Sequence, residues 1–192
     1  MISPLFPLSS VVLPGGRLPL RIFESRYRDM LSRCLKQDET FVIVLLDQAG
    51  SDTDQDAAFH PVGCAVKVVD FEPLENGMLG VTAEGAAKVS VCRNWRQRDG
   101  LNVGEVVTLP GEPPCTMPAA HEDLVNILGA LCRHPSVQSL ELTIDYEDPR
   151  QVGWRLTELL PLDIDRRQSL LEMDDPLERL EVLARLVEEL ED

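Results

Sequence analysis

The sequence predicts an α+β protein in two parts: a β-rich, barrel-like part with one inserted helix over residues 1–109, and an α-helical bundle over 119–192, joined by a linker at 110–118. Two observations carry this. As far as position 109, apolar residues alternate with period 2 in short runs punctuated by Gly and Pro; beyond the linker they recur with period 3.6. Between the two lie Pro110, Pro113, Pro114 and Pro118, which can neither donate to a strand ladder nor continue a helix. The charge changes at the same place. The 192 residues include 18 Lys and Arg and 33 Asp and Glu, a net charge of -15. Of these, 11 basic and 14 acidic residues precede position 111, and 7 and 19 follow it. Against a typical domain of about 150 residues, a length of 192 suits one domain or two small ones.

Within the first part, Leu18 to Phe23 follows the Pro14-Gly15-Gly16 turn as an extended segment. Tyr27, Met30, Leu31, Cys34 and Leu35 then fall on one stripe of a helix over about 25–36. Phe41 to Leu46 is apolar at every position and rich in β-branched residues, as a strand covered on both faces requires. The polar, acidic stretch from Asp47 to His60 reads as a long loop. Val62, Cys64, Val66 and Val68 alternate toward one face. Further strands are expected near Met78 to Ala83 and at Ala87, Val89 and Val91, with a turn at Glu84-Gly85 between them. Val103, Val107 and Leu109 close the set, so about six short strands fit a barrel-like arrangement.

In the second part Leu124, Ile127, Leu128 and Leu131 make one helical stripe, and Val152, Leu156, Leu159 and Leu160 make another that ends at Pro161. Asp148 can cap the latter helix, Pro149 suits its first position and Gln151 completes a capping box. Asp175, Pro176 and Glu178 repeat the device before a final helix striped with Leu177, Leu180, Leu183, Val187 and Leu190. Burying each of these contributes about 1.5–3 kcal/mol. A helix over about 165–173 carries Leu170 and Leu171. Leu140, Leu142 and Ile144 alternate like a strand among helices and read as an extended connector.

Composition excludes several functions. The three lysines, Lys36, Lys67 and Lys88, are neither preceded by Gly nor followed by Ser or Thr, so there is no G-x-x-x-x-G-K-[ST] phosphate loop. The five cysteines (Cys34, Cys64, Cys92, Cys115, Cys132) form no C-x-x-C pair, which removes the basis for a zinc knuckle, a thioredoxin-like site or a tight disulfide framework. The longest apolar run, Phe41 to Leu46, is far short of the roughly 20 residues of a membrane span. Residues 1–8 carry Pro4 and Pro7 without a basic leader or cleavage site, unlike a secretory signal. A cytoplasmic location is therefore expected, and the acidic second half is a poor surface for nucleic acid or anionic membrane.

Several stretches together resemble one family. They are Leu5-Phe6-Pro7-Leu8, Val11-Val12-Leu13-Pro14-Gly15, and Leu18-Pro19-Leu20-Arg21-Ile22-Phe23-Glu24-Ser25-Arg26-Tyr27. Further along come Pro61-Val62-Gly63-Cys64, Val68 to Leu74, Leu160-Pro161-Leu162, Arg167 to Glu172 and Asp174 to Leu180. This pattern, spread over the whole chain, is similar to the Lon substrate-binding (N-terminal) domain family in its stand-alone bacterial form. The resemblance implies a PUA-like β-barrel followed by a helical bundle, with unfolded or partner polypeptides as ligands and a protease system as context. Ser25 stands where that family usually has Pro, and Ser starts a helix about as well. Gly85-Ala86-Ala87-Lys88 lacks the family's Arg-aromatic pair. Without the phosphate loop, and without room for a Ser-Lys protease domain, the activity of a full-length Lon does not carry over. A non-enzymatic module is expected, with no catalytic residue, cofactor or metal.

Candidate chemistry is correspondingly sparse. Glu24, Arg26 and Arg28 form a polar cluster at the start of the first helix, and Phe23, Glu24, Arg26 and Tyr27 are the candidate polypeptide-binding residues. An apolar groove and free strand edges would supply the affinity. The plainer account of the cluster is a helix-end carboxylate beside arginines whose stems cover apolar surface. An alternative, RNA binding, rests on Arg93, Trp95, Arg96 and Arg98, where an aromatic interleaved with arginines could stack a base; nine aromatics in all and the negative field weigh against it. A small hydrolase would need a thiol and imidazole in contact. Cys132 and His134 point apart on a helix, and His121-Glu122 has Val at position 125 where a zinc helix needs a second His. Cys64 is expected to be inert, and His60 solvated. The acidic last helix, with Glu178, Glu181, Glu188, Glu189, Glu191 and Asp192, could attract basic partners; the plainer account is an outward face that keeps the protein soluble.

Overall fold

Phe41–Leu45 (β3) is buried at every position, and the alternation of a strand sends its side chains into two different cores. Phe41 and Ile43 join one apolar cluster, Val42 and Val44 another. The computed structural model that shows this describes residues 1–47, 58–138 and 142–191. The chain divides into two units, Met1–Pro110 and Gly111–Asp192.

The first unit is a mixed sheet of six strands with one helix. Its strands are Ile2–Leu8 (β1), Arg17–Ile22 (β2), β3, Val62–Pro73 (β4), Leu79–Arg96 (β5) and Asn102–Thr108 (β6), and its helix is Ser25–Gln37 (α1). The order is β2-β5-β4-β3-β1-β6, and β5 pairs with β6 as well. That second pairing is possible because β5 is 18 residues long. Its earlier residues lie against β2 and β4, while Val89 to Arg96 lie against β6. β1 runs parallel to β3 and antiparallel to β6.

Two expectations about the first unit need correction. The turn at Glu84-Gly85 does not exist: β5 passes straight through it. Gly85 is there because the backbone of Leu13 approaches so closely that a Cβ would stand 2.1 Å from its carbonyl oxygen, a close approach only Gly permits. Leu35 is exposed, while Tyr27, Met30, Leu31 and Cys34 of α1 are buried; the apolar stripe is one residue narrower than the sequence suggests. Of the loop expected over 47–60, residues 48–57 lie outside the described residues, and Phe59 bridges to Leu46.

The second unit holds Glu122–Cys132 (α2), Pro135–Gln138 (α3), Pro149–Leu159 (α4), Ile164–Glu172 (α5) and Pro176–Glu191 (α6). Leu124 and Leu128 of α2, Val152 and Leu156 of α4, Leu170 of α5 and Leu180 and Leu183 of α6 share one apolar core. Asp148 caps α4 by accepting from the Arg150 N–H, and Asp175 caps α6 by accepting from Leu177 at 2.8 Å. Gln151 does not complete a capping box, because its Oε1 accepts from the Asp145 N–H instead. Leu190 is 46% exposed, and Leu186 is buried in the same helix. Leu142 and Ile144 have no regular structure, with Ile144 against the core; Leu140 is outside the described residues.

Arg179 of α6 is 0% exposed. Its guanidinium lies 3.3 Å from the Trp154 ring centroid, donates to the Leu170 and Met173 carbonyls and forms a two-pronged ion pair with Glu112. Glu112 thus ties the start of the Pro-rich segment into the second unit.

Candidate functional site

β2 is an edge strand, and its free side opens onto a groove. The Gly85 N–H donates to the Gly16 carbonyl at 2.9 Å. In the antiparallel register Arg17↔Glu84 to Ile22↔Leu79, that bond makes Leu18, Leu20 and Ile22 the hydrogen-bonding residues toward β5. Arg17, Pro19 and Arg21 therefore turn their backbone polar groups away from β5. Pro19, in the middle, has no N–H to offer, which blunts the edge against pairing with another strand.

The groove has a volume of about 300 Å³ and runs from Phe6, Pro7 and Leu8 at the end of β1 to Pro19–Glu24 and Tyr27. Most of this lining is apolar. Phe6 and Tyr27 meet edge to face with centroids 4.1 Å apart, giving a firm floor. Phe23 is 69% exposed, so its ring stands at the rim. A second hollow of about 420 Å³ shares Pro19, Leu20 and Arg21 and continues to Phe71, Leu74 and Gly80; Phe71 is also exposed.

The four candidate residues at the start of α1 divide by environment. Phe23 and Glu24 line the groove with Tyr27, whose ring is buried. Arg26 is 7% exposed and does not line it. Arg26 Nε donates to Glu24 at 2.8 Å, Nη1 donates to the Gly100 carbonyl at 2.7 Å, and the guanidinium lies 4.6 Å from the Tyr27 ring centroid. Arg28 reaches the Gly77 carbonyl at 3.3 Å.

Arg93, Trp95 and Arg96 lie on the last residues of β5 and Arg98 in the turn after it. Gly100 takes a positive φ of 85°, and the Gln97 N–H donates across the turn to Leu101. Arg96 Nε donates to the Gly100 carbonyl at 3.0 Å, so the Arg93–Arg98 segment and the start of α1, far apart in sequence, meet at one atom. No sequence pattern announces that meeting. Trp95 packs against the main core of the unit, and the Arg93 guanidinium lies 6.0 Å from its ring centroid.

The remaining candidates stand apart. Cys64 is buried, its thiol donates to the Ala65 carbonyl, and burial pushes its pKa up to about 12. Burial also raises the Cys34 and Cys115 thiols; a thiolate nucleophile requires the opposite shift. Burial, followed by a side-chain hydrogen bond with Cys132, raises the Tyr146 hydroxyl, whereas His134 accepts from the Ser136 N–H; Cys132 and His134 thus have different partners. His121 immediately precedes α2, and His60 is half-buried. Among the described residues no three His, Cys, Asp or Glu side chains gather as a metal site, and no helix is long and apolar enough to cross a membrane.

A family model described as the ATP-dependent protease La (LON) substrate-binding domain matches residues 2–189. The chain belongs to the Lon substrate-binding domain family. The Lon protease of Xanthomonas oryzae pv. oryzae is 27% identical over 194 residues, covering 96% of this chain and 22% of that protein. The Lon protease of Geobacter metallireducens is 23% identical over 188 residues, covering 94% and 23%. The chain thus spans less than a quarter of the length of these curated relatives. Among solved structures, a Lon N-terminal domain protein from Xanthomonas campestris superimposes with a TM-score of 0.78 at 34% identity, covering 96% of this chain and 98% of that one. The N-terminal domain of the Mycobacterium avium complex Lon protease shares the fold with a TM-score of 0.67 at 16% identity, covering 95% and 96%.

Proposed function

We propose that this chain is a non-enzymatic module that holds exposed apolar segments of unfolded or partner polypeptides in the groove beside β2, in the cytoplasm and in the context of a protease system. The observation that carries this reading is an open, mostly apolar groove of about 300 Å³ with Phe23 exposed at its rim, in a chain whose family is described by substrate binding. Apolar grooves with a few placed polar groups suit such ligands. Phe23 touches the bound segment, Tyr27 forms the floor, and Arg26 acts through Glu24 by fixing its carboxylate. Pro19 makes capture by side chains, rather than strand addition at β2, the dominant mode. In the same reading the pairings β5–β4–β3–β1–β6–β5 form a PUA-like barrel over 1–109, the helices of 119–192 form a bundle, and 110–118 links them.

The test is a peptide array probed with the full chain and with Phe23→Ser, Glu24→Ala and Arg26→Ala. Loss of apolar-peptide binding in Phe23→Ser, with partial loss in the other two, is the expected result. Equal binding by all four proteins would remove these residues from the site.

A further inference from the structure

Resting on that reading, we infer that the Glu24 carboxylate is the polar recognition point of the groove: its Oε1 accepts a main-chain N–H of the bound segment, beside the apolar side chain that fills the groove.

Glu24 occupies the N-cap position of α1, where a side chain commonly accepts from the first turn of its own helix, yet it caps nothing there. Arg26 holds it instead. Nε and Nη2 of Arg26 each lie 2.8 Å from the same carboxylate oxygen, Oε2, and no hydrogen bond among the described residues reaches Oε1. The Glu24 side chain is 35% exposed and lines the groove with Phe23 and Tyr27. Its orientation is fixed from behind, because Arg26 is buried and donates to the Gly100 carbonyl as well. An acceptor already held in place loses little freedom when a donor arrives. The main-chain carbonyl of Glu24 is taken by the Arg28 N–H. The outward carbonyls of Pro19 and Arg21 on β2 are the competing acceptors, and as neutral groups they make the weaker bond.

The class of donor follows from the surroundings of Oε1. Neither sign of charge prevails there: Arg21 lines the same groove, Asp70 and Glu72 share the next hollow with it, and Glu24 is paired with Arg26. A neutral donor suits this oxygen better than an ionic side chain. An apolar segment has such donors in its main chain, since every residue except Pro carries an N–H that loses water as the segment settles and then needs an acceptor. The groove thus reads the side chain for size and apolarity and the main chain at a single amide, so a segment with Pro at that amide is rejected.

The experiment is fluorescence anisotropy on the full chain with a labelled apolar peptide built around a Leu-Phe anchor. In a series of variants of that peptide each main-chain amide flanking the anchor is replaced in turn by an ester, which deletes the N–H and keeps the shape. One ester should bind about tenfold more weakly than the parent, the order of a single hydrogen bond to a charged group, and the others about as well as the parent. In Glu24→Ala that ester and the parent should bind alike. In Glu24→Gln, which keeps a neutral acceptor, a difference of about threefold should remain. Phe23→Ser should weaken the whole series. If every ester binds like the parent and binding still depends on Phe23, the inference fails and the groove reading stands. An ester whose full loss persists in both Glu24 variants would assign the N–H to another acceptor, such as the Pro19 carbonyl, and overturn the inference. If no member of the series binds, both fail.

Discussion

Arg26 of α1 and Arg96 of β5 donate to the same carbonyl oxygen, that of Gly100, at 2.7 and 3.0 Å. Two cations converge on one neutral acceptor, an arrangement made tolerable because Arg26 is also paired with Glu24. The convergence locks the start of α1 to the β5–β6 turn, and thereby fixes one side of the groove.

Arg26→Ala should therefore destabilise the first unit by about 2–4 kcal/mol, because a buried guanidinium with charge-assisted bonds is removed. Arg26→Lys should lose less, since it keeps the charge, yet an ammonium lacks the planar fork that reaches both Glu24 and Gly100. Urea unfolding of the three proteins measures this; a loss below about 0.5 kcal/mol for Arg26→Ala would show that the convergence carries no stability.

Cys64 gives a pH dependence. Its folded pKa is raised from 9.0 to about 12 by burial, so between about pH 9 and 12 the unfolded chain loses a proton that the folded chain keeps. Fewer protons bound in the unfolded state means that stability falls as pH rises through this window, with a slope approaching 1.4 kcal/mol per pH unit from this residue. Cys64→Ala should flatten that part of the profile even though its own stability starts lower. At neutral pH a thiol reagent should label the exposed Cys92 at once and Cys64 only on unfolding.

The buried pair Arg179–Glu112 predicts a strongly asymmetric response. Glu112→Gln leaves the guanidinium buried without its counter-charge and should cost about 3–5 kcal/mol, whereas the double change Glu112→Leu, Arg179→Met should cost much less than the sum of the two single ones. Trp154 lies against Arg179, so its fluorescence in a Trp95→Phe background reports unfolding of the second unit. Additive costs would show that the two side chains act independently.

What was legible in the sequence follows from periodicity. The stripe Tyr27, Met30, Leu31, Cys34 and the two-faced run at Phe41 name buried positions because helix and strand repeats are local properties. The caps Asp148 and Asp175 were legible for the same reason. The continuity of β5 through Gly85 was not, because that glycine answers to the backbone of Leu13, remote in sequence. Nor was β1, whose two prolines mask a strand that pairs in parallel with β3. Arg179 is not singled out by the sequence, because Glu112 and Trp154 are brought to it only by the fold. At the candidate site the residue types at the start of α1 stood out, but the split between exposed Phe23 and buried Arg26 depends on Gly100, which only the fold supplies.

Pro19 supplies the last prediction. It occupies the one outward-facing position in the middle of β2 where a backbone N–H would complete a row of donors and acceptors on the free edge. Pro19→Val restores that N–H and favours a strand, while leaving the bonds of Leu18 and Leu20 to β5 in place. The variant should keep its fold by circular dichroism but self-associate in a concentration-dependent way by analytical ultracentrifugation, since an unguarded edge invites strand addition. It should also bind extended peptides with less dependence on Phe23, as main-chain pairing replaces side-chain capture. A variant whose sedimentation matches that of the parent at every concentration would mean that something other than the missing N–H protects this edge.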